Sequence, residues 1–263
     1  MSIDQLLIMV GLFLYPSLLP TEVQIVLLDK LLHRDLSNPS HNTNLHLHYN
    51  IPHHRSLDGS AQSFFGVDPR CQLEPKDPAV HKSVSLKQVL EKKLRWVTLG
   101  GQYDWTNKVY PEEKPPLFPA DIANLLKGVF EDVDPQAAIL NFYSPGDTLS
   151  LHRDVSEECD QGLISISIGC DALFMVANDD GAVTEIIRLR SGDAILMSRE
   201  SRYAWHAVPK ILPATCPESL QNWPNTETST TFSQWQGWLT NKRINLNVRQ
   251  VQKELSSFGK DVT

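Results

Sequence analysis

The run Ile164-Ser165-Ile166-Ser167-Ile168 alternates apolar and polar side chains without a break, a pattern that an extended strand sorts onto two opposite faces. It predicts a half-buried strand, isoleucines facing a core. The run has neighbours of the same kind. From Ala137 onward, segments 138–143, 149–155, 162–176, 183–189 and 194–198 read as short strands punctuated by PGD, DDG and SGD turns, and a further strand is expected at 244–248. Strands this short and closely spaced close best as two facing sheets, so a β-sandwich of the jelly-roll kind is expected. No internal repeat is visible.

The N-terminal half has a different texture. The apolar run at 6–15 approaches the length of a signal-peptide core, but Asp4 precedes it in place of Lys or Arg and no small-residue cleavage site follows. It is also too short to span a bilayer, and it is expected as a buried strand or loop leading into a helix. Thr21 and Gln24 stand as a capping box, and Val23, Leu27, Leu28, Leu31 and Leu32 recur at helical spacing, predicting a helix over 22–34. Residues 35–77, rich in Ser, Asn, Pro and His, are expected as loop, in part disordered. Further helices are expected at 85–93 and after Pro119, where Ile122, Leu125, Leu126 and Val129 share a face. A short helix at 232–239 would pack Trp235 and Trp238 onto the core.

With 263 residues, 41% of them hydrophobic, the chain can bury an ordinary core as one domain with a smaller N-terminal extension. A net charge of −7 excludes a globally basic surface, so nucleic-acid binding would require a local patch. Cys71, Cys159, Cys170 and Cys216 form no CxxC pair, which argues against structural zinc and a disulfide framework. The expected location is intracellular, in nucleus, cytoplasm or mitochondrion, with no membrane association and a monomeric chain.

His152-Arg153-Asp154 falls on an expected strand, where side chains two apart project from one face and can share a metal. Alone, such a pair also arises by chance. Two histidines and a carboxylate on one face of iron(II) leave positions open for a bidentate cosubstrate and O₂. His206, the only histidine after His152, completes that set. Downstream, Arg243, Asn245, Asn247 and Arg249 alternate with apolar residues and share one strand face. This row is either solvated or, inside a barrel, satisfied by an anion such as the dicarboxylate 2-oxoglutarate.

The order NxY (Asn141, Tyr143), HxD (His152, Asp154), His206 and RxNxxxR (Arg243, Asn245, Arg249) resembles the AlkB family of alkylated-nucleobase dioxygenases. Leu94–Gly100, Tyr103-Asp104-Trp105, the stretch from His152 to Glu157, and Arg202 with His206-Ala207-Val208-Pro209 resemble its AlkB-homologue-one branch, the likeness covering approximately 11–251. The resemblance implies an α+β fold: a double-stranded β-helix (jelly-roll) core at 137–252, N-terminal helices from 1–136 packed on one sheet together with a nucleotide-recognition lid, and a tail at 253–263. It implies Fe(2+) held by His152, Asp154 and His206. Arg243 would pair with the far carboxylate of 2-oxoglutarate in a pocket lined by Asn141, Tyr143, Asn245 and Arg249.

The implied reaction consumes 2-oxoglutarate and O₂ and oxidises a methyl group on a nucleobase nitrogen in methylated RNA or DNA. N6-methyladenine and 1-methyladenine are the candidates, and the products are formaldehyde, succinate and CO₂. The bacterial members carry an acid where this chain has Ser156, so base recognition of their kind is not expected, and Glu157 is the candidate substitute, against an exposed Glu without a role. Trp96, Tyr103 and Trp105 lie in the one locally basic stretch, 82–108, and are expected to recognise an extruded base, against a reading as core aromatics. His46, His48, His53 and His54 read as loop rather than as a second metal site. A 2-oxoglutarate oxygenase acting on a protein or small molecule, and a catalytically silent nucleic-acid-binding module, are the alternatives.

Overall fold

The computed structural model describes residues 5–56, 59–111, 114–177, 182–225 and 231–252; the expected tail and the DDG turn lie outside them. In chain order the strands are β1 (Leu6–Met9), β2 (Leu12–Tyr15), β3 (Gln72–Leu73), β4 (Val84–Ser85), β5 (Trp96–Gly100), β6 (Ala137–Tyr143) and β7 (Leu149–His152). They continue as β8 (Leu163–Gly169), β9 (Ala172–Ala177), β10 (Val183–Leu189), β11 (Ala194–Met197), β12 (Trp205–Ile211) and β13 (Arg243–Arg249). A seven-stranded sheet runs β1-β2-β11-β8-β13-β6-β5 and a four-stranded sheet runs β10-β9-β12-β7, while β3 and β4 form a small ribbon. From β6 to β13 the chain crosses between the two sheets at every step except the β9–β10 pair, which is the jelly-roll arrangement.

Register sorts the large sheet into two chemically distinct faces. Ile244, Leu246 and Val248 of β13 lie opposite Phe142, Leu140 and Ala138 of β6 and opposite Ile168, Ile166 and Ile164 of β8. Directly paired residues share a face. All nine are buried, in one apolar cluster with Leu27, Leu28, Leu31 and Leu32 of the N-terminal helical segment. The opposite face carries Arg243, Asn245, Asn247 and Arg249 together with Asn141, Ser165 and Ser167. The serines of the alternating run are therefore buried as well, contrary to the half-buried expectation. A second sheet covers them, and their hydroxyls meet Arg243 and Asn245 in place of water.

The N-terminal residues are not a separate layer, because β1, β2 and β5 extend both edges of the large sheet. Helix α1 (Thr21–Asp29) gives way to a wider π-helical stretch, Lys30–Asp35. Thr21 is the first helical residue rather than its cap, so the expected capping box does not form. The Gln24 amide instead donates to Leu19 O at 2.7 Å, and its oxygen accepts from Ser191 Oγ at 2.6 Å. Those contacts lock α1 to the SGD turn. Gly192 of that turn has φ +89°, and a Cβ there would come within 2.6 Å of Leu19 O, so only glycine fits.

The histidine-rich connection has more structure than expected. Leu36, Leu45, Tyr49, Phe64 and Phe65 enter the main core from it. A 3₁₀ turn at Asn44–Leu47 is capped by Thr43, whose own N–H donates to His46 Nδ1 at 2.9 Å. Helix α2 (Leu86–Gln88) also continues as a π-helical stretch, to Lys93, and α3 (Ala120–Lys127) buries Ile122 and Leu126. After α4 (Glu218–Gln221), the expected tryptophan-rich helix is two separate 3₁₀ turns, Ser233–Trp235 and Trp238–Asn241, divided by Gly237 at φ +78°. Trp235 and Trp238 donate from their indoles to Phe65 O and Leu90 O, tying the N-terminal connection to the core. Among the described residues no helix is long and apolar enough to cross a membrane.

Candidate active site

β7 and β12 are neighbours in the small sheet, and their register sets His206 directly opposite His152. The imidazole centroids lie 4.3 Å apart. β7 ends at His152, so Asp154 sits in the irregular segment beyond it rather than on the strand, and its Oδ1 is 3.8 Å from His152 Nε2. Ligand-type atoms of the three residues lie within 4.8 Å of one another, and among the described residues this is the one such group suited to a metal. The histidines at 46–54 form no comparable group.

The imidazoles are oriented by backbone carbonyls. His152 Nδ1 lies 2.8 Å from Ser150 O and His206 Nδ1 lies 3.1 Å from Ala204 O. A carbonyl only accepts, so Nδ1 carries a proton in both rings, and in the neutral ring Nε2 offers its lone pair to a metal. Burial lowers the His206 pKa despite the opposing charge of Asp154, which favours the neutral ring. Burial alone would raise the Asp154 pKa, but Arg249, both imidazoles and Arg202 together hold it below the usual carboxylate range. The site thus presents two imidazole nitrogens and one carboxylate.

The triad opens into a cavity of about 200 Å³ between the two sheets. Its polar floor is Asn141, Ser165, Arg243, Asn245, Asn247 and Arg249, and Ile139, Leu149, Leu163, Phe174, Met197 and Val208 supply apolar walls. Arg243 is 1% exposed, and burial pulls its pKa down to about 10. Its Nη2 donates to Ser167 Oγ at 2.9 Å and its Cζ lies over the Tyr143 ring at 5.4 Å, but among the described residues Nε and Nη1 have no partner. Such a buried, unneutralised guanidinium is unfavourable unless an anion joins it. The donor set fits iron(II), and the orphaned guanidinium fits the carboxylate of 2-oxoglutarate. Tyr143 lies beneath Arg243 and is not part of the cavity lining.

At the mouth, Tyr103 and Trp105 face the cavity. Trp105 is 39% exposed, stacks on Trp96 with centroids 4.8 Å apart, and meets Tyr103 edge-on at 4.9 Å. Trp96, in edge strand β5, braces Trp105 from behind and does not line the cavity. The Tyr103 hydroxyl lies 3.1 Å from Ser156 Oγ, joining the aromatic loop to the segment after Asp154. Glu157 is not at the mouth, contrary to its expected role as a base contact. Its side chain is 0% exposed and engaged by Arg202 and Arg249, which explains why it turns inward. Ser165, Ser167 and Arg202 were not expected at the site. For the serines the strand alternation was available, but nothing in it said that their face was covered.

Residues 58–249 match the model of the 2OG-Fe(II) oxygenase superfamily. The chain belongs to that family. An N6-methyladenosine RNA demethylase, ALKB1, of Pyricularia oryzae is 55% identical over 92% of this chain and 75% of its own length. Another, ALKBH of Cryphonectria parasitica, is 54% identical over 79% of this chain and 99% of its own. The tRNA demethylase abh1 of Schizosaccharomyces pombe is 38% identical over 92% of this chain and 79% of its own. The solved structure of OsALKBH1 superposes with a TM-score of 0.59 at 18% identity, covering 94% of this chain and all of that one, and carries the fold. The resemblance to the AlkB-homologue-one branch therefore holds, and with it the dioxygenase chemistry that uses Fe(2+), 2-oxoglutarate and O₂.

Proposed function

We propose that this oxygenase removes the N-linked methyl group of methylated adenine in nucleic acid, with N6-methyladenine in RNA as first candidate. The observation that carries the reading is the aromatic pair Tyr103–Trp105 at the mouth of the cavity that holds the triad. An extruded base is held between aromatic and apolar faces, and Trp105, backed by Trp96, offers such a face. The names of the fungal relatives support the same substrate.

Iron(II) with 2-oxoglutarate and O₂ supplies the oxidising power for a methyl C–H bond when bound. The chain's own work is placement. His152, Asp154 and His206 would hold the metal, and Arg243 would anchor the distal carboxylate of 2-oxoglutarate. Asn245, held by Ser165 Oγ at 2.8 Å and Ile166 O at 3.1 Å, and Asn141 opposite it shape the same floor. The apolar walls exclude water, and the aromatic loop would hold the base with its methyl group toward the triad. Hydroxylation of that methyl gives a hemiaminal, which separates into the amine and formaldehyde.

The test is turnover on matched oligonucleotides with and without N6-methyladenine or 1-methyladenine, as RNA and as DNA, reading formaldehyde and succinate. Methyl-dependent formaldehyde release in step with succinate is expected. Succinate without formaldehyde from any methylated strand would overturn the nucleic-acid reading and leave the oxygenase intact.

A further inference from the structure

Behind the triad, out of contact with the cavity, Arg202 and Glu157 form an ion pair in which side-chain exposure is 1% and 0%. Two buried charges are costly to maintain and demand a reason. Arg202 uses its whole fork: Nη2 donates to Glu157 Oε2 at 2.9 Å, Nη1 to the backbone carbonyl of Asp154 at 3.0 Å, and Nε to Gln161 O at 2.8 Å. The other oxygen of Glu157 accepts from Arg249 Nη1 at 3.0 Å. That leaves Arg249 one terminal nitrogen for Asp154, and Nη2 meets Oδ2 at 3.3 Å. Asn247 Nδ2 approaches the same oxygen at 3.5 Å, while Oδ1 faces His152.

An arginine beside a carboxylate ordinarily takes both oxygens with two parallel N–H groups. Here Arg249 gives Asp154 Nη2 alone, because Nη1 is held by Glu157 and, among the described residues, Nε has no partner. We infer that Glu157, clamped by Arg202, is a positioning residue that keeps Asp154 Oδ1 open to a metal by holding the Arg249 guanidinium, through Nη1, in an orientation that brings only Nη2 and not its whole Nε–Nη2 edge onto Asp154. Two guanidiniums balance two carboxylates in this network. Without the Glu157 charge, Arg249 would turn its full fork onto Asp154 and compete with the metal for Oδ1. The inference rests on the metal site and is independent of which substrate enters.

Cobalt(II) titration followed by visible absorption reads the metal affinity directly, without turnover. Glu157→Gln is expected to bind cobalt(II) about tenfold or more weakly, the scale seen when groups supporting metal ligands are altered. Adding Arg249→Met to that variant removes the competitor and is expected to restore much of the loss. A merely structural role for Glu157 would lower thermal stability, leave the affinity of the folded fraction unchanged and give no recovery in the double variant. Unchanged affinity in folded Glu157→Gln, or a loss that Arg249→Met does not recover, overturns the inference. Should Glu157→Gln fail to fold, Glu157→Asp keeps the charge but is one methylene too short to span both guanidiniums. Weaker cobalt(II) binding by Glu157→Asp supports the inference, and wild-type binding overturns it.

Discussion

Arg243 Nη2 donates to Ser167 Oγ at 2.9 Å, and this neutral hydroxyl is the only hydrogen-bond partner its guanidinium has among the described residues. The arginine is thus held in position for an anion while its charge stays uncompensated. Replacing it should have opposite effects on stability and on binding. Arg243→Met is expected to keep or raise the melting temperature of the ligand-free protein, because an apolar side chain is easier to bury. The same variant should lose about 2–5 kcal/mol of 2-oxoglutarate binding, measured by calorimetry on the metal-loaded protein. A fall in both quantities would mean that Arg243 is structural.

The triad should make stability depend on metal. Saturating cobalt(II) at a hundred times its dissociation constant stabilises the folded state by about 2.7 kcal/mol, seen as a rise in melting temperature that a chelator reverses. His152→Ala and Asp154→Asn are each expected to abolish that rise. Differential scanning fluorimetry with and without metal reads the result.

Trp96 and Trp105 stack together, yet only Trp105 lines the cavity. Trp105→Ala should therefore weaken binding of a methylated oligonucleotide by about 1–3 kcal/mol, the scale of one base–aromatic stack, without changing 2-oxoglutarate affinity. Trp96→Ala should act through the loss of support, with a smaller effect on binding and a larger one on stability. Fluorescence anisotropy and thermal melts of the two variants separate these roles.

His46 accepts the Thr43 amide proton at Nδ1 and so is neutral in the fold. Burial, with lesser contributions from His53 and Lys76, lowers its pKa to about 4. The unfolded chain, with an ordinary imidazole, binds this proton more readily. Stability should therefore be full above about pH 6.5 and fall as pH drops toward 4, with a slope from this group below about 1.4 kcal/mol per pH unit. His46→Asn, which retains an acceptor without a titrating ring, should flatten that slope in urea denaturation across this range. An unchanged slope would place the acid sensitivity elsewhere.

Most of the strand series, the helix at α3 and the ordered set of ligand types were legible from spacing, but the strand expected at 162–176 is two, β8 and β9, in different sheets, because the chain turns at Cys170-Asp171. The bounds of β12, the strand that delivers His206, are not legible in the sequence because Pro209 and Lys210 interrupt its apolar pattern. From the N-terminal side of residue 136, β1, β2 and β5 complete the large sheet.

By itself the sequence determined which side chains travel together: the Ile164–Ile168 alternation, the Arg243–Arg249 row and the His152–Asp154 pair are local, and local periodicity follows from backbone geometry. Only the tertiary structure decided what each face meets. The second sheet turned the serines from an expected surface into the polar floor of a cavity, and register placed His206 opposite His152. Glu157, three residues from a metal ligand, could equally have faced the mouth. Arg202 and Arg249, 45 and 92 residues away, drew it inward. Burial and charge pairing depend on groups distant along the chain, and no local pattern encodes them.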